Sequence, residues 1–253
     1  MQKSAKMFRL AWILAVTTLL TSLVLNIILF IGARHYYLLL NQTTLDPLGL
    51  EYFTGNLKPS DVDKSTAKVV FFGDSRAEAW AFFREIKGFA VVNRGVSGQT
   101  STQVLGRFEK QVLPLRPQII LVQVGVNDLK AIALFPDRKT TIVTNCKTNI
   151  QEIVKRSRSL GATVILTTIF PPGEIPLIRK PFWSSEIDRA ITEVNSYIYS
   201  LKAPNVIILD SYSLLNQNQK NQYYRDSLHL NSKGYEILNK ELTKVLTKVK
   251  TAQ

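Results

Sequence analysis

The chain of 253 residues is 45% hydrophobic and 20% charged, a globular composition with length for one core of about 200 residues. It carries 32 Lys and Arg against 19 Asp and Glu, a formal charge of +13, which suits an acidic polymer or an anionic lipid surface. No nucleic-acid partner is expected without interleaved aromatic and base-reading residues, and the single cysteine, Cys146, excludes an internal disulfide.

Residues 10–33 contain no charge. As a helix, these 24 residues span about 36 Å, enough to cross a hydrocarbon core of about 30 Å. A cleavable signal has a shorter apolar region, about 7–15 residues, and a small-x-small site, which Ile31 spoils before Ala33. An uncleaved anchor is therefore expected, with secretion after cleavage as the alternative. Lys3, Lys6 and Arg9 precede the run, and only Arg34 follows before Lys58. That asymmetry puts the N-terminus in the cytoplasm and the rest outside it, in the periplasm if the cell is bacterial. Without those four N-terminal cations, 28 basic residues still face 19 acidic ones, a charge of +9. Trp12, Tyr36 and Tyr37 sit where interfacial aromatics belong. The expected division is 1–37 stub and anchor, 38–66 a Pro-, Gly- and Asn-bearing spacer, and 67–253 the folded domain.

From Lys68 onward, strand-like and helix-like runs alternate. Val69–Phe72 is an apolar strand, halted by Gly73, Asp74 and Ser75, with a helix expected from Arg76 to Lys87. Ala90–Asn93 is a strand, and Thr100–Leu113 a helix ended by Pro114 and Pro117. Ile119–Val124 is a strand, and Thr140–Leu160 a helix with Ile142, Cys146, Ile150, Ile153 and Ser157 on one face, stopped by Gly161. Thr163–Phe170 is a strand, and Pro171–Phe182 an irregular loop. The helix Ser184–Leu201 aligns Ile187, Ile191, Val194, Ile198 and Leu201. Val206–Leu209 is a strand, and the helix Ser232–Val249 aligns Tyr235, Leu238, Leu242, Val245 and Val249. Five strands alternating with helices imply an α/β fold, a parallel sheet with helices on both faces.

The turns after these strands carry the chemistry. Ser75 stands at the carboxyl end of the first strand and the start of a helix, where open α/β sheets bind ligands and free N–H groups face an anion. Asn93–Thr100 (NRGVSGQT), Gly125–Asp128 (GVND) and Asp226–Asn231 (DSLHLN) project from the same edge. Ester hydrolysis needs a nucleophile, a base, a group to orient the base, and oxyanion donors. Ser75 can be the nucleophile. His229 is the one histidine of the folded part, and Asp226 lies three residues before it. The N–H of Ser75, the N–H of Gly95 and the side-chain amide of Asn127 can serve the oxyanion. His35 lies far from His229, so with one thiol there is no zinc-ligand set; neither metal nor cofactor is expected.

These four blocks resemble the SGNH/GDSL hydrolases: GDS at 73–75, NRGVSGQT at 93–100, GVND at 125–128 and DSLH at 226–229. The second is similar to the form in platelet-activating-factor acetylhydrolase-like members. The resemblance covers about residues 68–248 and implies a three-layer α/β/α, flavodoxin-like fold with five parallel strands. It implies Ser75, His229 and Asp226 as nucleophile, base and orienter, and Ser75, Gly95 and Asn127 as oxyanion donors. Arg76 departs from the Leu of the name motif; it either sets a cation near the pocket mouth or is a solvated helix residue. Asp74, Leu134, Phe135, Ile178 and Trp183 are the remaining candidates for the pocket. A small acyl group such as O-acetyl on a glycan is the expected substrate. Acyl transfer to a glycan hydroxyl, lysophospholipid or thioester hydrolysis, and non-catalytic carbohydrate binding are the alternatives.

Overall fold

The structure is a computed structural model that describes residues 2–53, 67–80, 89–216 and 220–251. The chain falls into two units, Met1–Pro47 and Leu48–Gln253. The first is one helix, α1 (Gln2–Leu45), long and apolar enough to cross a membrane by length and composition. Within it Thr17 and Thr21 donate to the carbonyls of Ile13 and Thr17 at 2.9 and 2.8 Å, so these two hydroxyls need no water. The segment expected as a spacer over 38–66 is helical as far as Leu45, and its residues 54–66 lie outside the described ones.

The second unit is built on five parallel strands: β1 (Ala67–Gly73), β2 (Phe89–Gly95), β3 (Ile119–Gln123), β4 (Thr163–Thr167) and β5 (Val206–Leu209). Their order is β2-β1-β3-β4-β5. Alternate residues of a strand point to opposite faces, so the apolar runs fill two cores. Val70, Phe72, Ile120, Val122, Val164 and Leu166 face one layer, with α3 (Ser101–Gly106), α4 (Phe108–Gln111), α6 (Lys139–Ser159) and α7 (Ser185–Ser200). Val69, Phe71, Ile119, Leu121 and Ile165 face the other, with α8 (Ser211–Leu215) and α9 (Ser232–Thr251). Short α2 (Ser75–Glu78) and α5 (Val126–Leu129) follow β1 and β3.

The helical stripes pack as their spacing requires. Cys146, Ile150, Ile153 and Ser157 are buried on α6, and Ile187, Ile191, Val194 and Ile198 on α7. On α9, Tyr235, Leu238, Leu242 and Val249 are buried, together with Leu246. Two helices are shorter than their sequences suggest. The helix expected over 76–87 ends at Glu78, and Trp80 turns inward against Phe71, Phe170 and Tyr235; residues 81–88 lie outside the described ones. The helix expected over 100–113 breaks at Arg107 (φ −97°, ψ 1°), whose side chain is drawn into the core.

Candidate active site

β1 runs straight into α2 because Gly73 leaves no side chain; a Cβ there would lie 1.8 Å from the Gln123 carbonyl oxygen on β3. Asp74 then caps α2, its Oδ1 accepting from the Arg76 N–H at 2.9 Å. Asp74 is fully buried with Oδ2 unpartnered. Burial lifts its carboxyl to about 6 against the opposing pull of Arg76. Ser75 opens α2, so its N–H has no acceptor within the helix.

Opposite Ser75 lies the segment after β5. Tyr224 and Leu230 bridge across it, the Arg225 N–H donates to the His229 carbonyl at 3.0 Å, and the Asn231 N–H donates to the Tyr223 carbonyl at 2.9 Å. Inside this small hairpin, Asp226 Oδ1 accepts from the N–H groups of Leu228 (2.8 Å) and His229 (2.9 Å). Such a turn is one that Asp forms readily, and it fixes the Asp-x-x-His spacing. His229 Nδ1 lies 2.9 Å from Asp226 Oδ2, and Nε2 lies 3.0 Å from Ser75 Oγ. Burial pushes the Asp226 carboxyl up, but the two backbone N–H groups and the imidazole outweigh it and bring it down to about 2. An ionised Asp226 holds a proton on Nδ1, leaving Nε2 to accept from the serine hydroxyl.

Asn127 stands in α5, and its Nδ2 donates to the Gln99 carbonyl at 2.9 Å. That bond uses one amide hydrogen and leaves the other. It also ties Asn127 to the turn after β2. In that turn Gly95 does not offer the expected donor. Its N–H is taken by the Asn93 Oδ1 at 2.7 Å, and a Cβ on it would lie 2.1 Å from the Glu78 nitrogen. Gly95 is glycine because the end of β2 packs on the backbone of α2. Gly98 differs: it is exposed, has φ +77°, and its N–H meets no acceptor among the described residues. From the sequence alone, the two glycines of NRGVSGQT are equally eligible; only the packing separates them.

Arg76 is neither solvated nor at a pocket mouth. It is fully buried, donating from Nε to the Leu228 carbonyl (2.9 Å) and from Nη1 to the Phe170 carbonyl (3.2 Å), with its guanidinium over the Phe170 ring. It joins the Ser75 turn to the residue before His229. The Tyr235 hydroxyl of α9 donates to the Arg76 carbonyl at 2.9 Å. Arg107, which sequence reasoning missed, plays the matching part on the other side. Its Nη2 donates to Gly73 (2.6 Å), its Nη1 to Arg94 (2.7 Å) and its Nε to Gln99 Oε1 (2.6 Å). Burial lowers the Arg107 guanidinium to about 9, and Asp74 pulls the other way.

The remaining candidates separate. Leu134 and Trp183 line a cavity of about 340 Å3, with Lys130, Ala131, Arg179, Phe182 and Leu228. Leu228 sets it beside His229. Phe135 and Ile178 do not line it and face solvent, and Asp74 lies fully buried beneath the turn. Among the described residues, no cluster of His, Cys, Asp and Glu is arranged to hold a metal.

A parallel α/β/α sheet with a serine, a histidine and a carboxylate hydrogen-bonded at its carboxyl edge defines the class of α/β serine hydrolases. The chain matches the GDSL-like Lipase/Acylhydrolase family over residues 64–237, and it belongs to that family, whose members act on ester bonds. It is similar to an acetylxylan esterase of Geobacillus stearothermophilus, 27% identical over 85 residues, a stretch that spans 33% of this chain and 39% of that enzyme. Among solved structures it resembles a GDSL-like lipase from Bacteroides thetaiotaomicron, with TM-score 0.61 and 22% identity over 80% of this chain and 98% of that one. It also resembles a mutant of an acetylxylan esterase from Geobacillus stearothermophilus, with TM-score 0.55 and 20% identity over 71% and 94% of the two chains. At these identities the two structures show the fold.

Proposed function

We propose that the protein is a membrane-anchored serine esterase with its domain outside the cytoplasm, which removes small acyl groups, O-acetyl groups on glycans foremost. The reading rests on one observation above the others: Ser75 Oγ, the His229 ring and Asp226 follow one another at 3.0 and 2.9 Å. Ser75 Oγ attacks the ester carbonyl as its proton passes to His229 Nε2. The resulting oxyanion is held by the N–H groups of Ser75 and Gly98 and the free amide hydrogen of Asn127. The imidazolium, stabilised by Asp226, gives its proton to the departing alcohol oxygen as the C–O bond breaks. Water, deprotonated by the same nitrogen, then releases the acid and restores Ser75. Gly98 replaces Gly95 as the donor because the Gly95 N–H is already engaged. The acetyl preference draws on the likeness to an acetylxylan esterase. The anchor and its orientation draw on the apolar helix and the cations before it.

A second reading, hydrolysis of longer acyl chains, is favoured by the apolar cavity at Leu134, Phe182, Trp183 and Leu228. Turnover of 4-nitrophenyl acetate and octanoate by the wild type and Ser75→Ala tests both readings. Ser75→Ala is expected to fold and to lose about 10⁴-fold or more in kcat. The wild type is expected to show the higher kcat/KM on acetate. Near-normal turnover by a folded Ser75→Ala removes the nucleophile, and higher efficiency on octanoate replaces the acetyl reading with the long-chain one.

A further inference from the structure

Around the cavity, the segments that follow β3 and β4 turn apolar side chains outward. Leu177 and Ile178 are 80% and 83% exposed and Phe182 is 64% exposed, all within the one 3-10 turn Leu177–Phe182. Leu134 and Phe135 on the neighbouring segment are 59% and 51% exposed. Large apolar side chains exposed singly are ordinary; five on two adjoining segments that share a cavity are a patch, and such patches mark interaction surfaces.

The chemistry of the partner is written in the charges between those side chains. Arg179 and Lys180 sit inside the 3-10 turn, and Lys130 and Arg138 on the other segment. Among the described residues none of these four cations is in an ion pair. Lys139 differs, being paired with Glu186 at 2.6 Å. Lys130 and Arg179 line the same cavity: burial pushes the Lys130 amine down, Asp74 pulls it back up, and Arg179 adds a smaller downward push. Asp137 is the one acidic residue within 130–138 and 177–183; Glu174, just before the second, lines a different cavity, with Tyr224, Arg225 and Asp226. A protein partner built on apolar complementarity has no need of four unpaired cations. A free acidic polymer has no need of exposed Leu, Ile and Phe. A bilayer with anionic headgroups uses both, taking the apolar tips below its headgroups and the Lys and Arg at them.

We infer that the face formed by residues 130–138 and 177–183 docks on an anionic phospholipid bilayer, with the cavity beside His229 opening toward that surface. The inference goes beyond the esterase reading, since docking does not require Ser75 to be the nucleophile. It places the mouth of the site at the lipid surface, where an ester carrier reaches it without crossing bulk water.

The test uses the full chain reconstituted into vesicles. Ile178→Cys is labelled with an environment-sensitive fluorophore; Cys146, fully buried, does not compete for the label. Ser159→Cys, at the end of α6 on the far edge of the sheet, carries the reference label. In vesicles of phosphatidylcholine and phosphatidylglycerol the Ile178 label is expected to shift to the blue and to be shielded from iodide. The docked-to-undocked ratio is expected to be roughly tenfold or more above that in phosphatidylcholine alone. The Ser159 label is expected to stay water-like in both. Arg179→Glu with Lys180→Glu is expected to abolish the difference between the lipids. An Ile178 label that stays water-like in anionic vesicles overturns the inference. So does shielding that is equal in both lipids and grows with protein concentration, which makes the occupant a second copy of the chain. 4-Nitrophenyl acetate turnover on the same samples keeps the readings apart: turnover without docking fails this inference, and docking without turnover fails the esterase reading.

Discussion

At the scale of single residues, Asp226 gives a pH dependence with a definite sign. Its carboxyl is lowered from 3.8 to about 2, so its contribution to stability is present in full above the unfolded value and is lost as the pH falls through about 2. Asp226→Asn is expected to melt below the wild type at roughly pH 5 to 7, with the gap closing as the pH approaches about 2. Thermal melts followed by circular dichroism measure this; a gap that stays constant down to low pH means the loss does not come from the charge of the carboxylate. Arg76 gives the second case. It touches no reacting atom and is a positioning residue, holding the Leu228 carbonyl and through it the backbone of His229. Arg76→Leu leaves the Leu228 and Phe170 carbonyls without their donor and buried Asp74 without its cation, so it is expected to lower the melting temperature, and kinetics are read below that temperature. The hairpin that carries His229 is expected to loosen, lowering kcat by up to about 10²-fold with little change in KM. Arg76→Lys, which reaches one carbonyl at most, is expected to recover part of that loss. Steady-state kinetics decides: an effect confined to KM would make Arg76 a substrate-binding residue instead.

At the scale of elements, the junction of β2 with α2 separates the two glycines. Gly95→Ala drives a methyl into the backbone of Ala77 and Glu78 and is expected to cost about 3 kcal/mol in denaturant titration. Gly98→Ala meets open space and pays only for its left-handed backbone, about 1 kcal/mol, and it keeps its N–H. It is therefore expected to fold and to retain most of its kcat; the reverse ranking of the two variants would put the tight junction at Gly98. This junction also marks where the sequence stops being legible. Strand–turn–helix punctuation at Ser75, the GVND turn and Asp-x-x-His are local patterns, and each can be read where it stands. The choice of Gly95 or Gly98 depends on which backbone lies against β2, and nothing near residue 95 records that. The break of the expected 100–113 helix has the same origin. Arg107 turns inward to serve the carbonyls of Gly73 on β1 and Arg94 on β2. Arg76 reads as solvated for the same reason, since its acceptors come from residues 170 and 228.

At the scale of the whole molecule, five-strand alternation and the helical stripes carry the architecture, because burial on both faces of a parallel sheet imposes its pattern on every strand. The proposed orientation of α1 rests on a different trace, the imbalance of cations before and after it. A reporter fused after Gln253 that works only outside the cytoplasm is expected to be active, and one that works only inside to be silent; the opposite pair of results reverses the orientation. The hydrogen bond between Ser75 and His229 joins residues 154 apart in the chain, which bears on the order of synthesis. The ribosome releases the Ser75 turn well before the hairpin that carries Asp226 and His229. Until then Arg76 has no Leu228 carbonyl to bind and Trp80 has no α9 to pack on. On the esterase reading, Ser75 is thus made long before the base that would take its proton, and waits for it until that hairpin folds.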